Sequence, residues 1–68
     1  KIVRPVSLDK VDYSKVYYIQ IIDSYLNNEI FLGKFYYIHP DEIAIENITQ
    51  NSNIFISADH HVLVFETS

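Results

Sequence analysis

The residues with the clearest chemical potential in this chain are three consecutive ones, Asp59, His60 and His61. A carboxylate and two imidazoles could bind zinc, or could act as a general acid and a general base. On a β-strand, however, neighbouring side chains point to opposite faces, so His60 and His61 do not easily share one metal ion. His39, the remaining histidine, would have to come from the far end of another strand. We therefore expect a structural or interface role for these residues, with no metal, no cofactor and no catalytic site.

Two tyrosine pairs, Tyr17-Tyr18 and Tyr36-Tyr37, could stack on nucleic-acid bases. Such surfaces usually come with a basic groove, and only Lys15 and Lys34 lie near these pairs. All five cations lie at or before Lys34, and the net charge is −4. Because phosphate binding depends on lysine and arginine, direct binding of nucleic acid is disfavoured. We expect one tyrosine of each pair in the core and the other at a rim or an interface.

The composition of the 68-residue chain favours β structure. It contains eleven isoleucines, six valines, six tyrosines and four phenylalanines, but only two alanines. A chain of this length makes a single domain, residues 1–68. It lacks cysteine, so neither a disulfide nor a cysteine-ligated metal can stabilise it. Its apolar runs are far shorter than the roughly 20 residues of a membrane helix, and no membrane association is expected.

The pattern along the chain predicts an irregular lead-in over 1–7, a short helix over 8–14 capped by Ser7, and five strands. The strands are expected at about 16–22, 29–39, 42–48, 53–57 and 61–67. Their spacing of roughly ten residues, with no helix between them, predicts a small, strongly bent antiparallel barrel. Gly33, the only glycine, lies inside the second strand and is interpreted as the point of a strand bend or a close backbone approach.

The last two strands are short, apolar on both faces and almost uncharged. They also lack lysine and proline, the residues that usually protect a sheet edge from pairing with another chain. We therefore expect a partner protein to cover them. The predicted partner interface consists of Ile54, Phe55, Ile56, Val62, Leu63, Val64 and Phe65.

The spacing of apolar residues resembles the Sm-like family over nearly the whole chain. That family has a strand glycine followed by apolar residues at fixed positions, and later an apolar strand, a turn and a closing strand. The corresponding residues here are Gly33, Phe35, Ile38, Ile43 and Ile45, then Ile54–Ile56, the pair Ala58-Asp59, and Val62–Phe65. The resemblance implies a short N-terminal helix followed by five strongly bent strands.

The positions that hold RNA in ring-forming members of the family differ in this chain. His39-Pro40 stands where the family has an aspartate, and Glu42 or Ile43 where it has a loop asparagine. Ala58-Asp59 replaces the family's Arg-Gly turn. The resemblance therefore does not carry RNA binding over to this chain.

Pro40, in the turn after the second predicted strand, and the closing stretch His60–Thr67 resemble the Sm-like Gemin subunits of the SMN complex. That resemblance implies a non-enzymatic subunit that pairs by strand addition with a second Sm-like Gemin subunit, in the cytoplasm and nucleus. The complex assembles Sm cores on small nuclear RNAs for mRNA splicing. Two alternatives stay open: an RNA-binding Sm-like ring subunit, and a Tudor-like peptide-binding barrel with an aromatic cage that includes Tyr25 and Tyr37.

Overall fold

The computed structural model describes residues 3–22 and 28–67, which form one antiparallel sheet of six strands. The strands are β1 (Val3–Pro5), β2 (Tyr17–Ile22), β3 (Ile30–Ile38), β4 (Glu42–Asn47), β5 (Ser52–Ser57) and β6 (His61–Thr67). Their order across the sheet is β1-β6-β2-β3-β4-β5. The mostly β, antiparallel class is confirmed, and β2 to β6 match the five predicted strands to within one residue at each end.

The predicted closed barrel is wrong, because the sheet is open. The lead-in forms β1, which pairs with β6 so that Val3 lies opposite Thr67. The Val6 N–H extends this pairing by donating to the Val64 carbonyl at 2.8 Å. A strand has two sides, and those of β6 are taken by β1 and β2. Among residues 3–22 and 28–67, no pairing joins β5 to either β1 or β6.

The predicted helix over 8–14 is also wrong, since the only helical segment there is a single 3-10 turn, Leu8–Lys10. The Ser7 side chain makes no capping hydrogen bond, and Val11 is already extended, with φ −70° and ψ 145°. One turn does not repay the cost of helix nucleation unless further turns follow. The Asp12 N–H, which would bond to the Leu8 carbonyl in a continuing α-helix, donates instead to the Tyr17 hydroxyl at 2.7 Å. The segment continues as a second turn, in which the Lys15 N–H donates to the Asp12 carbonyl at 3.0 Å, while Leu8 and Val11 pack against the core.

The core lies on the inner face of the sheet and follows the two-residue period of its strands. Its members are Tyr17, Ile19, Ile21, Phe31, Phe35, Ile43, Ile45, Ile54, Ile56 and Val64. Residues from β5 and β6, which are far apart in strand order, belong to this one cluster, so the sheet curls around its inner face. No described segment is a helix long and apolar enough to cross a membrane.

Gly33 lies on the inner face of β3, opposite Tyr17 on one side and Asn47 on the other. A Cβ atom there would be 2.8 Å from Ile19 Cδ1 and 3.0 Å from the Glu46 carbonyl oxygen. The glycine thus permits a close approach of packed neighbours. The irregularity in the β3–β4 ladder lies farther along, between Phe35 and Tyr37.

Candidate partner interface

Strand β5 forms one end of the sheet and, within the described part of the chain, pairs with β4 alone. The Ala58 N–H donates to the Asp41 carbonyl at 3.1 Å, which identifies one hydrogen-bonded pair of this ladder. Such pairs occur at every second residue of an antiparallel ladder, so Ile56 and Ile54 also bond to β4. The residues between them direct their N–H and C=O groups away from β4. These outward residues are Asn53, Phe55 and Ser57.

The side chains of β5 divide between the two faces of the sheet. Ile54 and Ile56 are buried in the core, whereas Phe55 is 59% exposed on the outer face. Beside it, the Tyr36 hydroxyl donates to Asn53 Oδ1 at 3.2 Å, so the Tyr36 ring reaches from β3 across β4. Ala44 of β4, opposite Phe55, is small and fully buried. The exposed apolar surface beside the outward backbone of β5 therefore consists of the rings of Phe55 and Tyr36.

The two ends of the sheet differ in how well they resist pairing with another strand. β1 has three residues, and its bond from Val6 to Val64 implies that Arg4 also faces β6 while Val3 and Pro5 face outward. Pro5 has no N–H to offer, and short edges with proline are protected against strand addition. β5 is longer and has no proline or charged residue. The open edge of the molecule is therefore β5.

The seven predicted interface residues do not lie together at one edge. Ile54, Phe55 and Ile56 lie on β5, at the open edge. Val62–Phe65 lie on β6, which is an inner strand between β1 and β2. Val64 is 2% exposed and belongs to the core, and the other three are half-buried. The pairing of β1 with β6 was not predicted, and this pairing separates the two halves of the interface.

The outer face carries a second apolar region that the sequence reasoning missed. A depression of about 440 Å³ is lined by Val3, Tyr18, Ile30, Phe65 and Thr67. Tyr18 lies directly opposite Phe65 and Leu32 in the ladders of β2. The signal for this region was the apolar residues at both odd and even positions of β2 and β3, which indicate a strand with two apolar faces.

Asp59 and His60 lie in the connection between β5 and β6, and His61 is the first residue of β6. The Asp59 N–H donates to Ser57 Oγ at 3.3 Å, and His60 Nδ1 lies 3.1 Å from the Ser57 carbonyl oxygen. These contacts give the residues a part in closing the turn. Over residues 3–22 and 28–67, no three histidine, aspartate or glutamate side chains are grouped so that they could hold a metal ion.

The end of the β3–β4 hairpin carries an aromatic pair and a carboxylate. The rings of Tyr37 and His39 stack with their centroids 4.0 Å apart. The Tyr37 hydroxyl donates to Glu42 Oε1, and this hydrogen bond to a carboxylate raises the pKa of Tyr37 above its usual value. Tyr37 is therefore held against its own hairpin. Tyr25, the other residue of the hypothetical aromatic cage, lies outside the described residues.

The tyrosine pairs fit the expectation of one core and one rim residue only in part. Tyr17 is buried, and its ring centroid lies 6.3 Å from that of Phe35, while Tyr18 is exposed. In the second pair neither ring is buried, because Tyr36 is exposed and Tyr37 is half-buried. The ladder irregularity between Phe35 and Tyr37 accounts for this, since an extra residue interrupts the alternation of faces.

No protein-family model, curated protein or solved structure matches this chain. The geometry of the β5 edge and the sequence pattern are therefore the basis for a functional conclusion.

Proposed function

We propose that this chain is a non-enzymatic protein-interaction subunit that accepts a β-strand from another protein on the outer edge of β5. The outward backbone groups of Asn53, Phe55 and Ser57 carry this proposal, since they lie on an edge without charge or proline. In strand addition the backbone supplies affinity and the alternate side chains supply specificity. The exposed ring of Phe55 lies where such a side-chain contact is needed.

Among the Sm-like Gemin subunits, the sixth is the one that the closing stretch His60–Thr67 most resembles, and this resemblance gives the proposal its specific form. The partner is then a second Sm-like subunit, and the pair acts within the SMN complex, which assembles Sm cores on small nuclear RNAs in the cytoplasm and nucleus. The closing stretch His60–Thr67 and the absence of the family's RNA-contacting residues support this form. The other predicted interface residues, Val62–Phe65 on β6, could pair with a partner's backbone only after β1 had separated from β6.

The size of the contact limits what kind of partner fits. Each backbone hydrogen bond contributes about 0.5–1.5 kcal/mol net, so a few of them give only modest affinity against the entropy cost of association. A stable complex buries at least about 1,000 Å² in total. We therefore expect the partner to cover the exposed rings of Phe55 and Tyr36 as well as the backbone edge.

Two substitutions at Phe55 test the proposal by separating its backbone from its side chain. Phe55→Pro removes an N–H that points away from β4, so the sheet is expected to fold. Phe55→Thr keeps the N–H and a strand-favouring residue but removes the ring. With each variant as tagged bait, quantitative mass spectrometry measures which proteins co-purify. We expect Phe55→Pro to lose the partner and Phe55→Thr to retain it at reduced yield.

Circular dichroism of both variants provides the control for folding. If Phe55→Pro keeps the wild-type spectrum and recovers the same partners as the unmodified chain, strand addition at β5 is excluded. If both variants lose the partner to the same extent, the affinity comes from the Phe55 ring and not from the backbone. That result would also contradict the proposal.

A further inference from the structure

The sequence of β5 is nearly symmetric about Phe55. An isoleucine lies on each side of this residue, and a small polar residue lies beyond each isoleucine, giving Asn53-Ile-Phe-Ile-Ser57. Read in either direction, the strand offers a small polar residue, isoleucine, phenylalanine, isoleucine and a small polar residue. A surface of this kind is self-complementary under two-fold rotation, which is the requirement for a symmetric dimer.

From this symmetry we infer that the β5 edge pairs antiparallel with β5 of a second copy of this chain, with the two-fold axis at Phe55. The sheets of the two copies then form one continuous sheet. This inference rests on the proposed function, because it needs strand addition at β5. When no different subunit is present, a second copy of this chain occupies the β5 edge.

The backbone directions fit this pairing. Asn53, Phe55 and Ser57 all face outward, so Phe55 meets the partner subunit's Phe55 and Asn53 meets the partner subunit's Ser57 as hydrogen-bonded pairs. Two bonds for each pair give about six hydrogen bonds across the interface. The Ser57 carbonyl oxygen already accepts the His60 N–H at 3.2 Å and lies 3.1 Å from His60 Nδ1. The two bonds that the Ser57 carbonyls would accept across the interface therefore need the His60 ring to turn away, whereas the other roughly four do not.

The side chains fit the same register. Residues directly opposite each other in an antiparallel ladder share a face, so the two exposed Phe55 rings lie side by side on the outer face. Pairs of aromatic residues at such positions stabilise a sheet. Ile54 and Ile56 stay in the core of their own copy and need not move.

Electrostatic repulsion between two chains of charge −4 is the main opposing term. β5 itself has no charged residue; Glu42 and Glu46 lie on the neighbouring strand β4, and Asp59 lies in the turn that follows β5. In the dimer Glu42 aligns with the partner subunit's Glu46 across three strand spacings, or about 14 Å. That distance exceeds the Debye length of about 8 Å at physiological ionic strength. Association is therefore expected to be stronger at physiological salt than at low salt.

The first test is the mass of the protein in solution. Sedimentation equilibrium over a range of concentrations should show a dimer for the wild-type chain and a monomer for Phe55→Pro at the same concentrations. A wild-type chain that stays monomeric overturns the inference. So does a dimer whose stability is unchanged by Phe55→Pro.

The second test reads the register, using the absence of cysteine from the chain. Two copies of Phe55→Cys place their thiols on the axis, where the Cα–Cα distance of about 5.5 Å suits a disulfide. Asn53→Cys is the matched control, because its two copies are separated by four residues, or about 13 Å along the strands. Mild oxidation should link the first variant at least tenfold faster than the second. Equal rates, or faster linkage of Asn53→Cys, overturn the proposed register.

The outcomes also separate this inference from the proposed function. If the chain is monomeric and Phe55→Pro nevertheless loses a partner that Phe55→Thr retains, the edge serves a different protein and only the homodimer is excluded. If neither a dimer nor any partner depends on the backbone of Phe55, both proposals fail.

Discussion

At the scale of single residues, the turn before β5 decides which of its side chains face outward. Asn47 is buried, and its Oδ1 accepts the Gln50 N–H at 3.0 Å. Asn51 adopts a positive φ of 54°, which asparagine tolerates better than most residues. The Asn47-Ile-Thr49 stretch matches the glycosylation pattern, yet its asparagine is enclosed and bonded within the turn. If the pairing of β5 with β4 shifted by one residue, the Phe55 side chain would face the core. The turn therefore fixes the register that keeps Phe55 on the outer face.

A substitution at Gly33 tests how tightly the sheet is packed at its centre. In Gly33→Ala the added Cβ would lie 2.8 Å from Ile19 Cδ1 and 3.0 Å from the Glu46 carbonyl oxygen. Because Ile19 is fully buried and one of these atoms is backbone, neither neighbour moves freely. We expect a loss of about 1–3 kcal/mol in the free energy of unfolding, measured by urea denaturation.

A second substitution, Ile19→Val, completes this experiment. Alone it removes a buried methyl group and should cost about 0.5–1.5 kcal/mol. It also removes the Cδ1 atom that the new Cβ meets, so the double variant should lose less than the sum of the two single losses. Strictly additive losses, or an unchanged stability in Gly33→Ala, would contradict the crowding described here.

At the scale of elements, β1 determines which edge of the sheet stays open. It consists of only three exposed residues, and its one described ion pair joins Arg4 to Glu66 at 3.2 Å on the surface. Ion pairs in such positions contribute at most about 1 kcal/mol. β1 is therefore held mainly by its backbone pairing with β6, and its loss would expose the backbone edge of β6.

Removing residues 1–5 tests the protective role of β1. In a Phe55→Pro background, where the β5 edge is blocked, the shortened chain should form concentration-dependent oligomers because β6 becomes an unpaired edge. Light scattering coupled to size-exclusion chromatography measures their mass. Arg4→Ala in the same background is the control, since it removes the ion pair and keeps the strand, and it should stay monomeric. A shortened chain that remains monomeric would show that β1 is not needed to protect β6.

At the scale of the whole molecule, charge argues against a polynucleotide as the ligand. The net charge is −4, and the part of the chain after Lys34 has no lysine or arginine. Lys34 itself lies opposite Glu46 in the ladder, and Arg4 is bonded to Glu66. None of the strands β4, β5 and β6 contains a lysine or an arginine, so these strands cannot form a continuous basic surface around the open edge.

Fluorescence anisotropy with a labelled uridine-rich RNA tests the alternative of an RNA-binding ring subunit. Because cations are few, we expect no binding at micromolar protein even in low salt. A basic peptide that binds the same RNA serves as the positive control. Saturable binding that weakens steeply with added salt would contradict this expectation and favour the ring subunit.

Local patterns of residues account for the strands and for the charge of this chain. The two-residue period of isoleucine, phenylalanine and tyrosine predicted β2 to β6, because each strand must place every second side chain in the core. The distribution of charge likewise followed from the sequence alone. The region 8–14 was misjudged because a single turn and a short helix share the same local signals, and only the contact of Asp12 with Tyr17 separates them.

The tertiary structure alone decided that the sheet stays open and which edge remains available. Both depend on the pairing of Val3 with Thr67, residues from opposite ends of the described chain. A three-residue strand has too few residues to show a period, and a contact at such a separation leaves no local pattern in either segment. Pairing of this kind is stabilised only once the rest of the sheet has brought β6 into position. For that reason the strands β2 to β6 could be predicted, whereas the edge of the sheet that stays open could not.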